Sequence, residues 1–182
     1  MGMRKRAFLF CALAACALAV SAQSYSLRSN ILGLTTTNLN LEASMTLNRK
    51  WSLHLPVQYN PFKFGSNRQF RNFYAAPGAR YWLLESYMDG FIGMYGTAGM
   101  YSVGNLFGSK YRHEGEGYGV GLSVGKAYQI GRRWNLEWEV GAGAVWLVYD
   151  KYLCKRCGDL VDSDYGWHFL PTRAALNLVY LF

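Results

Sequence analysis

From Trp134 to Tyr149 the chain changes character at every residue. Even positions carry Trp134, Leu136, Trp138, Val140, Ala142, Ala144, Trp146 and Val148; odd positions carry Asn135, Glu137, Glu139, Gly141, Gly143 and Val145. Successive side chains of an extended strand point to opposite faces, so this order makes one face aromatic and aliphatic and leaves the other polar and small. A helix would repeat its apolar positions every 3.6 residues instead. The run exceeds the ~5–6 residues of a usual strand. It fits a tilted strand crossing a bilayer, which takes ~9–11 residues.

Three more segments alternate in the same way. Leu39, Leu41, Ala43, Met45 and Leu47 interleave with Asn38, Asn40, Glu42, Ser44 and Thr46. Trp51, Leu53, Leu55, Val57 and Tyr59 interleave with Ser52, His54, Pro56 and Gln58. Tyr118, Val120, Leu122 and Val124 interleave with Gly119, Gly121, Ser123 and Gly125. Hydrophobic residues make up 51 % of the chain. Even so, beyond residue 22 no apolar run reaches the ~20 residues of a spanning helix.

The connections alternate as well. Asn48-Arg49-Lys50 and Gly131-Arg132-Arg133 are tight polar turns, each followed by Trp and, two residues on, Leu; Leu84–Gly90 is a third short connection. Between them lie long segments at 60–73, 103–117 and 150–169, while the first outer connection, near Thr35–Thr37, is short. Short turns at one end and long loops at the other are the pattern of an outer-membrane barrel with periplasmic turns. The expected fold is all-β: an antiparallel up-and-down membrane β-barrel of about eight strands, the smallest size of its class. The expected spans are 27–35, 38–48, 50–60, 73–84, 89–102, 117–130, 134–149 and 170–182. Pro77 interrupts the fourth, and placing Arg80 inside also places Trp82 inside. The fifth has apolar residues on both faces.

The N-terminus reads as an address. Arg4-Lys5-Arg6 precedes a short apolar stretch, Ala7 to Val20, and Val20-Ser21-Ala22 offers a signal-peptidase site. Residues 1–22 are therefore expected to be a signal peptide and 23–182 the barrel domain. Leu13-Ala14-Ala15-Cys16 resembles a lipobox, which would instead acylate Cys16 and anchor the protein by lipid. The net charge of +8 falls to +5 without the basic n-region. The remaining cations are scattered through turns and form no stripe, so nucleic acid is not an expected partner.

Periodicity leaves open which face points outward, because a soluble lipocalin-like barrel would put its apolar face inside. Three features favour the membrane. Glu42, Glu137 and Glu139 on the polar face can be neutralised by Arg80 and Arg173 in a closed interior, since buried charges must be paired. Trp51 and Trp134 beside short turns, and Tyr59, Trp146 and Tyr149 towards long loops, suit two headgroup girdles. The chain finishes on Leu176, Leu178, Tyr180 and Phe182. This ending resembles the signal read by the barrel-insertion machinery, so Leu178, Tyr180 and Phe182 are the expected insertion signal. Outer-membrane lipid is the expected surrounding, the expected state is a monomer, and the side-chain-filled interior of an eight-stranded barrel predicts no large conductance.

Little points to chemistry. Cys154 and Cys157 read first as a local disulfide in the last long loop of an exported protein. A zinc site would need two more ligands, and a redox motif a thioredoxin-like unit. His168 with Ser163, or His113 with Ser109 and Glu114, could serve a lipid-modifying hydrolase of small-barrel type, but no nucleophile elbow is present. No cofactor, metal or catalytic residue is expected.

Segments 48–59 (NRKWSLHLPVQY), 77–82 (PGARYW), 131–137 (GRRWNLE), 149–158 (YDKYLCKRCG) and 171–182 (PTRAALNLVYLF) resemble a family of Bacteroidales exported proteins known as domain of unknown function 3575. The resemblance spans nearly all of 23–182. It implies an outer-membrane-barrel-like fold without established activity and an accessory role near fimbrial or surface-assembly proteins. The function expected is thus a non-enzymatic barrel that presents surface loops for adhesion, envelope organisation or fimbrial assembly. A lipid-modifying enzyme and a periplasmic ligand-binding barrel are the alternatives.

Overall fold

A computed structural model describes residues 25–64, 68–104, 112–152 and 160–182. Its strands are β1 (Tyr25–Asn30), β2 (Leu39–Asn48), β3 (Trp51–Asn60), β4 (Lys63–Phe64), β5 (Arg68–Ala75), β6 (Gly78–Trp82), β7 (Asp89–Gly104), β8 (Arg112–Gln129), β9 (Trp134–Tyr152) and β10 (Leu160–Leu181), with one helical turn, α1 (Ile31–Thr35), between β1 and β2. Every pairing is antiparallel. β1 pairs with both β2 and β10, which closes the sheet on itself. β5 and β6 together form one barrel strand, since each pairs with β3 on one side and β7 on the other. The result is the eight-stranded closed barrel read from the alternation. β4 adds only a two-residue edge to β5.

The spans differ from the expected ones in three ways, each for a local reason. The first strand stops at Asn30 rather than Thr35. The Asn30 Oδ1 accepts from the amide of Leu32 and caps α1, and it also accepts from Leu176 N while its Nδ2 donates to Ala174 O. One side chain thus ends the β1–β10 ladder and starts the helix. The fourth strand is split at Ala76-Pro77, because proline has no N–H for the ladder. Ala76 N instead donates to Pro56 O (3.2 Å), and Pro77 O accepts from Gly96 N (2.9 Å). Finally, much of the expected long loops is strand. Gly104 pairs with Arg112 and Tyr152 with Leu160, so hairpins β7–β8 and β9–β10 run well past the alternating stretches.

The short turns share one end. Asn48 Oδ1 accepts from the amides of Lys50 and Trp51 (both 3.0 Å) and shapes the first. Gly131 N donates to Trp134 O at the third. In the second, Tyr87 (φ 68°) and Asp89 (φ 61°) take left-handed backbone, which turns the Tyr87 ring into the barrel end. There Lys126 donates to Asp89 (2.9 Å) and holds its carboxyl below the ordinary range.

The polarity of the wall is the reverse of a soluble barrel's. Leu41, Leu55, Met94, Val120, Leu122 and Val140 are exposed on the outside, whereas Arg28, Glu42, Arg80, Glu137 and Glu139 are buried.

Candidate functional site: the barrel interior

The interior is arranged in three tiers. At the short-turn end Trp82, Tyr87, Phe91, Ala127, Val179 and Leu181 form a packed apolar plug. The strand residues among these are inside because they share the inward phase of their strands, and Tyr87 because its left-handed turn directs it inward, although their chemistry is that of the outer face. Trp82 and Phe91 lie 4.8 Å apart between ring centroids, and Trp82 meets Tyr87 edge-on at 5.6 Å.

Above the plug the structure brings Glu42, Arg80, Glu137, Glu139 and Arg173 together. Arg80 reaches all three carboxylates: Glu137 at 3.0 Å, Glu139 at 2.5 Å and Glu42 at 3.2 Å. Arg173 bridges Glu42 (3.2 Å) and Glu139 (3.1 Å). Sequence reasoning missed a third guanidinium. Arg28 contacts Glu137 (2.5 Å) and lies 3.4 Å from Glu42. With it, three arginines face three glutamates and the formal charges cancel. The signal was present: Arg28 has the phase of Ser26 and opposes Leu27, so β1 alternates like the others.

Each guanidinium is also capped by a ring. Arg80 lies 4.6 Å over Phe91, Arg173 lies 5.0 Å over Tyr95, and Arg28 lies 5.9 Å over Tyr87. A cation over an aromatic face is attracted by the ring quadrupole, and more strongly where water is excluded. Glycines make room for this. A Cβ on Gly121 would meet the Tyr95 ring at 2.6 Å, and one on Gly141 would meet its hydroxyl at 2.7 Å. The inward glycines of β8 and β9 thus seat Tyr95 across the barrel, where its hydroxyl bonds Thr172 (2.5 Å).

His54 was the second member missed. Its Nδ1 meets Glu42 at 2.9 Å and its Nε2 meets Ser52 Oγ at 2.6 Å, while Trp82 Nε1 donates to Ser52 Oγ at 2.7 Å. Ser52, His54 and Glu42 have the spacing of a nucleophile, its base and an orienting acid. However, Ser52 is completely buried between the plug and the network and its oxygen is held by Trp82, so a substrate has no approach to it. The relay ties β2, β3 and β6 together.

Of the groups considered for hydrolysis, Ser163 and His168 do not meet. Ser163 and His168 sit on the same unbroken stretch of β10 with opposite phase, hence on opposite faces of the wall and ~16 Å apart along it. Glu114 accepts from Ser102 (2.7 Å), and Ser109 lies outside the described residues. So do Cys154, Cys157, Cys16 and the expected signal segment 1–22. Among the described residues no group of three or more His, Cys, Asp or Glu side chains could hold a metal.

Of the expected girdle, Trp51 and Trp134 lie exposed beside the short turns, and each packs edge-on against a neighbouring tyrosine, Tyr81 or Tyr180. Phe182 extends the second pair, at 5.0 Å from Tyr180, and Leu178 faces outward with them. Tyr59 is exposed near the other end. Trp146 packs against Tyr165 and Trp167 there. Tyr149 has the opposite phase to Trp146, and its hydroxyl donates to Asp164 (3.4 Å). Trp167 and Phe169, both more than 60 % exposed, were missed because they fall in a segment read as loop.

Above the network the third tier is a cup of about 320 Å³ bounded by Gln58, Asn72, Tyr74, Thr97, Tyr101, Val145, Leu147 and Thr172.

The model of the family described as protein of unknown function (DUF3575) matches residues 7–182, and the chain belongs to that family. Neither the comparison with curated proteins nor that with solved structures gives a match.

Proposed function

We propose, starting from membership of a family that brings no assigned activity, that this chain is a non-enzymatic outer-membrane barrel holding its loop end off the membrane for adhesion, envelope organisation or fimbrial assembly. The observation that carries this is the inverted polarity of the wall. A band of exposed Leu, Val, Met and Ile side chains surrounds an interior of fully paired charges. In water such a contiguous apolar surface is an aggregation liability, and in lipid it is the solvated face. Aromatic pairs near both ends of the strands suit the two headgroup layers. Export and insertion would proceed through the signal segment and the barrel-insertion machinery, and the barrel would stand as a monomer, since closure leaves no wall strand unpaired along its lipid-facing length.

The length of the hairpins supports the second half of the reading. β9 and β10 have 19 and 22 residues, about twice what a tilted strand needs to cross. The surplus would raise segments 60–73, 103–117 and 150–169 above the outer girdle, where partners such as fimbrial or other surface proteins can be met. A disulfide between Cys154 and Cys157 would stiffen the tip of the last hairpin.

The test is the depth dependence of a charge on the outer face. Leu122→Arg, in the middle of β8, should cost about 2–4 kcal/mol of folding free energy in lipid vesicles, and Tyr165→Arg, above the girdle, about 0–1 kcal/mol. Equal effects from the two substitutions, or a wild-type chain that folds only without lipid or detergent, would refute the membrane reading.

A further inference from the structure

The seam between the first and last strands closes low and stays open high. β1 pairs with β10 from Ser26↔Leu181 to Asn30↔Asn177 and no further. Just above, the Asn30 side chain holds Leu176 N and Ala174 O, and α1 packs against β10. From Pro171 up to Leu160, at and above the outer girdle, β10 is paired with β9; on its other side no described residue pairs with it. Its exposure reflects this. Nine of the ten residues 162–171 are exposed, on both faces, whereas their partners on β9, 142–151, include one, Val148.

Along a strand, residues on one face send their N–H and C=O groups to the same side. Ala174 and Leu176 share the outward phase of Leu178 and send theirs towards β1. Above the register shift at Pro171–Arg173, the outward residues are Phe169, Trp167, Tyr165 and Ser163, so their main-chain groups line the open edge. The Tyr165 N–H agrees: with no strand beside it, it donates to the Asp164 carboxylate (2.8 Å). A long open edge is a template for another chain, and adding an extended segment to such an edge is a recurrent mode of peptide recognition. The side chains narrow the segment. Outward stand Tyr165 (69 % exposed), Trp167 (63 %) and Phe169 (79 %), the first two backed by Trp146. On the other face stand Asp162 and Asp164, neither of them in an ion pair with a described residue. A second copy laid edge to edge would bring four carboxylates into one seam, and like charges across strands are unfavourable. A segment alternating apolar and basic residues suits both faces.

We propose that the open edge of β10, from Ser163 to Phe169, takes up an extended basic segment of another exported protein as an added strand, antiparallel like every other pairing in the sheet. Apolar residues of the segment lie beside Tyr165, Trp167 and Phe169, and its Lys or Arg residues face Asp162 and Asp164. The proposal deepens the surface-presenting reading above and rests on it for the place of this edge outside the membrane.

The experiment uses residues 23–182 refolded in a neutral detergent, with an octapeptide of alternating Lys and Val as the probe and amide hydrogen exchange as the readout. In the free barrel the Ser163, Trp167 and Phe169 amides should exchange freely, while those of Gly166 and His168, which face β9, are protected. The peptide should bind saturably and slow the first three about tenfold or more. The same peptide N-methylated at its valines, whose main-chain groups would face the edge, should not bind, and neither should one of alternating Glu and Val. Trp167→Pro removes an N–H that serves only the open edge, so it should leave the fold intact and abolish binding. Asp162→Asn with Asp164→Asn should weaken binding about threefold or more, as the loss of two exposed ion pairs would. The proposal is overturned if the three amides are already protected in the free barrel, whether by the chain itself or by a second copy. It is also overturned if the basic peptide does not bind, if the N-methylated or acidic peptide binds as well as the basic one, or if a folded Trp167→Pro chain or the double Asn variant binds as tightly as the parent. Vesicle insertion reports on the lower wall and the peptide on the edge, so a barrel that inserts yet leaves the peptide unbound overturns this proposal alone.

Discussion

At the scale of single residues the interior hangs on Arg80. It is the one guanidinium that reaches all three carboxylates, and Phe91 covers its other side. Removing one partner of a buried network leaves charges that no water can reach, which costs about 3–5 kcal/mol. Arg80→Leu should therefore lower the stability of the barrel in vesicles by that amount, read from urea unfolding. The double variant Arg80→Leu with Glu139→Leu should recover part of the loss, because two arginines then face two glutamates. If the double variant is no more stable than the single one, charge balance is not what Arg80 supplies. His54 and Ser52 belong to the same scale. Their hydrogen bonds fix side chains on three strands, and their catalytic spacing is incidental to a site that Trp82 seals.

Among the elements, those legible in the sequence were the ones whose outer face is apolar and inner face polar. β2, β3, the inner half of β8 and β9 alternate because an apolar outer face and a polar or small inner face put opposite chemistry on neighbouring residues. Towards the loop end the alternation fades, and residues such as His113, Glu114 and Glu116 read as loop although they lie in β8. The plug was hidden for the opposite reason. Trp82, Phe91 and Leu181 are apolar on the inward phase, so β6 and β7 look hydrophobic on both faces. Arg28 and His54 stood in clear alternating segments and needed only the phase to be followed, whereas the ring caps depend on inward glycines whose partners lie on other strands.

If the upper part of the last hairpin stands clear of the membrane, the barrel should not need it. A chain in which an Asn-Gly turn joins Leu147 directly to Gly166, residues paired across β9 and β10, should still fold and still shift its gel migration on heating. Loss of the heat-sensitive band would place that hairpin among the elements that hold the wall.

For the whole molecule, the three tiers predict a barrel that does not conduct. The plug is fully packed and the network above it fills the cross-section, as expected for the narrowest barrels. Purified protein in planar bilayers should give no stepwise current, and steady unitary conductance would contradict the packing of Trp82 and Phe91 described here. The arginine–glutamate network has one more consequence, which concerns the order of assembly. Of its members, β1 to β6 carry two arginines and one glutamate, and β7 to β10 carry two glutamates and one arginine. Each half of the chain carries a charge of opposite sign left over, and the two cancel when the halves meet, through Arg80 with Glu137 and Glu139, Arg173 with Glu42, and Arg28 with Glu137. A half-built sheet is thus electrostatically incomplete. Docking of the first strand on the last adds Arg28 and completes the network, so closing should be a single cooperative step that traps few partly assembled forms.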